Sequence, residues 1–265
     1  MNLLLIIALF LKLIVSPAHS QEFDFNKAYQ DYLYNYDIYQ KTHSDYDIAR
    51  SQYMSSQTIS AQTRAQETTA AMLVARDQAL ITYLTALRMK LKDTPGIGDA
   101  AKDGLFAPID TEIAWHTDHK SRISSAGSLE DLTEDSTEAA VQFRQTELLI
   151  YKVLITVSIG NTTDYRDRER EIINSLRTKI SEIKAAGGKD VTSVERALTD
   201  ADDRLSRSVE KEQEALNLFL KVKAQDKDKL SKFNSIELSV GEALAYIKEA
   251  NSIVKDSIRQ IKTAD

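Results

Sequence analysis

Glu112, His116 and His119 stand at i, i+4 and i+7, a spacing that puts one carboxylate and two imidazoles on one face of a helix. Imidazole and carboxylate are acceptable zinc ligands. The wider pattern of a metal enzyme is missing, because the chain has no His-Glu-x-x-His run and no second Glu-x-x-His set like that of a di-iron bundle. Trp115, His119 and Arg122 share a similar spacing and would cover a neighbouring helix. The expectation for this stretch is an ordinary helix surface with no metal. Asp200, Asp202 and Asp203 open like a calcium loop, but Leu205 stands where the glycine belongs and Lys211 where the last acid belongs. Gly96 and Gly98 follow no strand and lack the later glycine and lysine of a phosphate loop.

The chain has no cysteine, which excludes disulfides, thiol catalysis and zinc–cysteine sites. It has no serine-nucleophile elbow, and of its four histidines His19 sits in the N-terminal segment. These features predict no catalytic residues, no bound cofactor and no enzyme. Asn161-Thr162-Thr163 matches an N-glycosylation acceptor, relevant only in a eukaryotic secretory pathway. The alternating charges from Asp164 to Glu171 predict a solvated helix face.

The unusual feature is a row of tyrosines. Tyr29, Tyr32, Tyr36, Tyr39, Tyr46 and Tyr53 fall on alternating three- and four-residue steps, with His43 and Arg50 between them. That spacing is a heptad seam. Its expected role is packing between helices, with hydroxyls reaching water; the sharper alternative is an interaction face that stacks on a glycan or a partner protein.

These residues are placed by helices. Glycine and proline are scarce, and between them the chain is rich in strong helix formers with apolar residues three and four apart. The predicted fold is all-α: an elongated bundle of long antiparallel helices with coiled-coil segments. Helices are expected over about 24–92, 108–126, 135–186 and 190–262, in one domain spanning 21–265. Pro108 suits a first turn, and Ser128 with Asp131 suits a helix start. From Met72 a stripe runs through Leu73, Leu80, Leu84, Leu87 and Leu91. The run LLIYKVLITVSI is read as a helix buried on several sides. A last seam passes through positions 230, 233, 237, 240, 244, 247, 251, 254, 258 and 261. Asn251 is the polar residue in its middle and the expected setter of register, so Asn251→Ile should raise stability while relaxing pairing.

Residues Leu3 to Val15 form an apolar run broken only by Lys12, followed by Pro17 and Ala18-His19-Ser20. This pattern predicts a secretory signal peptide over 1–20, cleaved before Gln21, with an uncleaved N-terminal anchor as the alternative. Cleavage removes one base and no acid, which takes the net charge from −6 to −7. Such an acidic chain has no electrostatic case for nucleic acid. No other stretch has the length and apolar character to span a bilayer.

The opening FDFNKAYQDYLYNYDIYQ and the later QTRAQETTAAMLVARDQAL, with the signal pattern, resemble the uncharacterised secreted helical proteins common in small-genome bacteria. The resemblance covers about the first hundred residues and includes no functional motif. It implies an exported helical protein and no activity. Together these readings predict a non-enzymatic interaction or structural protein of the cell envelope or extracellular space. It would meet a protein partner, or another copy, through coiled-coil contacts. The alternative is a helical bundle that binds a glycan or small molecule on its tyrosine-rich face.

Overall fold

The computed structural model describes residues 22–187 and 190–264. The expected signal peptide over 1–20 lies outside them. The described residues form an all-α protein of six helices: α1 Glu22–Ser56, α2 Ile59–Asp93, α3 Asp99–Ile123, α4 Leu129–Ala185, α5 Thr192–Phe219 and α6 Lys229–Ala264. None of the described helices is long and apolar enough to cross a membrane.

The single helix expected over 24–92 is two helices. The break carries neither glycine nor proline. Gln57 turns the chain with a positive φ of 31°, and the Thr58 hydroxyl accepts the Ala61 N–H to cap α2. The helix expected from 108 begins at Asp99 instead, and Pro108 lies inside it. Pro108 and Gly104 are both exposed, so the carbonyl deprived of its partner lies on the wet side of α3. Ser128 and Asp131 do start a helix, by reciprocal capping: the Asp131 N–H donates to Ser128 Oγ, and the Ser128 N–H to Asp131 Oδ2. That helix runs unbroken to Ala185, so no separate start occurs near 135. The stretch expected over 190–262, with a bend near 224–231, is divided by a turn between Phe219 and Lys229.

Where the sequence reading has one domain, the chain divides into two compact units. The first comprises residues up to 93 together with 99–153. Its helices run antiparallel in succession. Tyr32 meets Tyr83 with ring centroids 4.9 Å apart, and Lys90 lies over Phe25, which folds α1 back along α2. Arg88 pairs with Asp110 between α2 and α3, and Arg122 grips Glu138 with two bonds of 2.9 Å between α3 and α4. Met72, Leu73, Ile123 and Leu132 close one part of the core, with Tyr39 and Tyr46 against them.

The second unit comprises 94–98 and the chain from 154 onward. It packs the end of α4 with α5 and α6 as a helical bundle. Lys184 with Glu195, and Arg177 with Asp202, align α4 against α5; Lys211 with Glu242, and Arg204 with Glu249, align α5 against α6. Val194, Leu198, Ala201, Leu205, Ser208, Glu212 and Ala215 make a strict three-four seam on α5. On α6 the most buried line is Phe233, Ile236, Val240, Ala243, Ile247, Ala250, Val254, Ser257 and Ile261. The sequence reading placed Glu237, Leu244, Asn251 and Ile258 on that line; all four are half-buried on its flank. The small residues Ala243, Ala250 and Ser257 take the central places because they let helices approach closely. Segment 94–98 lies against Gly160 of α4. A β-carbon on Gly96, which has φ +70°, would fall 2.1 Å from the Gly160 carbonyl oxygen, and one on Gly160 would fall 2.3 Å from Ile97.

Candidate functional site

Glu112, His116 and His119 share one face of α3, as their spacing predicts. That face is not the helix surface expected from sequence but the interior of the first unit. The physical reason is Asp77 of α2, which supplies an acceptor for both rings. Asp77 and His119 are 0% exposed and His116 is 1% exposed. One Asp77 oxygen meets His116 Nδ1 at 3.0 Å, and the other meets His119 Nδ1 at 2.5 Å. Each ring is held from behind by α4: His119 Nε2 faces the main-chain carbonyl of Asp135 at 3.1 Å, and His116 Nε2 faces Thr146 Oγ1 at 3.4 Å. The Thr146 hydroxyl donates to Glu112 at 2.5 Å, and the Gln142 amide donates to both Glu112 oxygens. Trp115 stacks on His119, with centroids 4.8 Å apart and planes 13° apart, and meets His116 edge-on.

The electrostatics follow from these contacts. Burial alone would favour a neutral Asp77, but hydrogen bonds from His116 and His119 and the nearby Arg76 charge outweigh it and lower its pKa. Burial likewise opposes a charge on His119. The hydrogen bond to Asp77, the Asp77 charge and the Asp135 carbonyl overcome that opposition and raise its pKa. Burial lowers the pKa of Arg76, whose guanidinium lies 3.8 Å from Asp77. All four ring nitrogens already face protein atoms, so the cluster as built orients histidines between three helices. Among the described residues, no group of three or more histidines and acids is arranged to hold a metal ion.

The tyrosine row is a continuous ladder on α1. Ring centroids from Phe25 through Tyr29, Tyr32, Tyr36, Tyr39 and His43 to Tyr46 follow one another at 5.7–6.3 Å. Tyr29, Tyr32 and Tyr36 are buried, whereas Tyr39, Tyr46 and Tyr53 are half-buried. The hydroxyls do not all reach water as expected. Tyr32 is 1% exposed, its hydroxyl has no hydrogen-bond partner, and burial pushes its pKa upward.

The second unit holds a smaller polar layer: Asp167, Arg168, Arg170 and Glu171 are exposed, as the charge run at 164–171 predicts, but two of its residues turn inward. Arg166 and Glu169 of that run are buried. Arg166 pairs with Glu212 of α5, and Asn251 of α6 donates to Glu169 at 2.8 Å. Asn251 therefore bonds within its own chain. Asn161 is half-buried within α4, a poor presentation for an acceptor that needs an accessible loop.

Sequence reasoning missed Asp77. The signal was available, because the stripe from Leu73 to Leu80 skips the step at 76–77, where Arg76 and Asp77 sit on the buried face. No family model matches the chain, and neither does any curated protein or solved structure.

Proposed function

We propose that this is an exported, non-enzymatic interaction or structural protein of the cell envelope or extracellular space, acting through its helices on a protein partner or another copy. One contrast carries the reading: the titratable cluster is sealed, while apolar side chains are presented at helix turns. Ile59 is 85% and Met54 65% exposed on either side of the α1–α2 turn, and Leu220 is 81% exposed just after α5. Sealed histidines with every ring nitrogen engaged suit helix positioning better than contact with substrate. Met54 and Ile59, both exposed at one turn, would make the contact with another protein. Export rests on the apolar run and the Ala18-His19-Ser20 site.

The test has two arms. Protein recovered from outside the cytoplasm should begin at or near Gln21; an intact Met1 in the membrane fraction would replace export with anchoring. Cross-linking of the mature protein in its own envelope, with a Met54→Asp, Ile59→Asp variant beside it, should give a discrete adduct that the variant loses. No adduct from either protein, together with a monomeric mass in solution, would overturn the interaction reading.

A further inference from the structure

We propose that His119, fixed between the Asp77 carboxylate and the Asp135 main-chain carbonyl, is a buried imidazolium at neutral pH, and that losing its proton in mild alkali loosens α3 from α2 and α4. The argument is one of donors and acceptors. Both nitrogens of His119 lie within hydrogen-bond distance of oxygens that can only accept, one of the Asp77 carboxylate and one of a carbonyl. A neutral ring carries one N–H and would leave one of these pairs facing lone pair to lone pair, and that is costly in a sealed site. Only the doubly protonated ring satisfies both. The Trp115 indole face, parallel to the ring, adds attraction for a cation.

The surrounding charges are of both signs, and the acids in contact outweigh the cations. From α2 come Asp77 and Arg76, and from α1 Tyr39, beside Arg76. From α3 come His116, with Glu112 beyond it through Thr146, and Arg122. From α4 come Asp135 and Glu138, the latter also favoured as an anion by the His119 charge. Arg76 opposes the imidazolium and is outweighed by Asp77 in direct contact. Alkali removes the proton, after which the Asp135 carbonyl or Asp77 loses its donor, and the joint between three helices loses one strut.

Trp115 is the only tryptophan in the chain, so its emission reports on the ring stacked against it. A protonated imidazole quenches indole emission more strongly than a neutral one. The experiment follows imidazole nitrogen NMR and Trp115 emission of the full chain between about pH 5 and pH 9. Both His119 nitrogens should still report N–H at about pH 7.5, above the ordinary histidine value. Emission should rise as they titrate, and Asp77→Asn should move that step to lower pH. His119→Gln should abolish it. A neutral His119 tautomer at about pH 7.5 in the parent protein would overturn the proposal. The parent spectra decide the matter even if a variant fails to fold.

Discussion

The two units bury charge in different ways. In the first, Asp77 lies at the centre of a network that reaches His116, His119, Thr146 and Glu112 on two other helices. In the second, polar residues occupy a short layer at Arg166, Glu169, Glu212 and Asn251 within an otherwise apolar seam. A heptad seam is stable for any pair of matching stripes and needs a polar layer only to prefer one register. Three helices joined through a buried carboxylate are held by a geometry that few other arrangements would satisfy. The first unit therefore concentrates its specificity at one residue, whereas the second spreads stability along its length.

Removing the central acceptor tests this most severely. Asp77→Ala strands two buried imidazoles and should destabilise the first unit by about 3–5 kcal/mol, read as a lower denaturation midpoint of Trp115 emission. Leu205→Ala in the second unit should cost about 2–4 kcal/mol by far-ultraviolet circular dichroism, the ordinary cost of a core cavity. If the two losses were reversed in size, specificity would not be concentrated at Asp77. Asn251→Ile separates sequence from structure more sharply. The sequence expectation is a gain in stability. The contact with Glu169 reverses it, because the substitution strips a buried carboxylate of its donor, and a loss of about 1–3 kcal/mol should follow.

Stability should also depend on pH through the first unit. The pKa of His119 is raised in the fold, so its contribution is full below the ordinary value of 6.5 and is lost as pH rises through the folded value. Asp77 is lowered, so its contribution is present above the ordinary value of 3.8 and is lost as pH falls through the folded value. The thermal midpoint should be highest between these limbs, and Leu205→Ala should leave that profile unchanged in shape. The smallest effect belongs to Tyr32→Phe. The hydroxyl is buried without a partner, so its removal should be neutral or stabilising by less than about 1 kcal/mol. A clear loss on melting would mean that the hydroxyl has a partner after all.

Helical class and much of the second unit were legible because apolar spacing alone decides them. Ile173, Ile180 and Ile183 pack where their heptad places them. The turn at Gln57 was not legible, since it uses neither of the residues that normally mark a turn. Its position is set by long-range pairing: Tyr32 meets Tyr83 and Phe25 meets Lys90, so the chain must reverse midway. The buried site was half legible. The spacing of Glu112, His116 and His119 showed that they share a face, but which face is inside depends on Asp77, 39 residues from His116. The gap in the leucine stripe at 76–77 marks a polar step on the buried face of α2, but no local pattern reports which distant residues meet it. Arg166 and Glu169 were hidden by the same limit, since a charge run looks solvated until Glu212 and Asn251 are placed against it.

The contact between segment 94–98 and α4 has a consequence for ancestry. Gly96 and Gly160 leave no room for a side chain on either partner. A descendant of this chain can exchange most of its surface and many core residues of similar volume, yet a side chain at Gly96 would meet the Gly160 backbone and one at Gly160 would meet Ile97, so neither position is free to drift. Two glycines 64 residues apart should thus persist as a paired mark of common descent after the rest of the sequence has ceased to align.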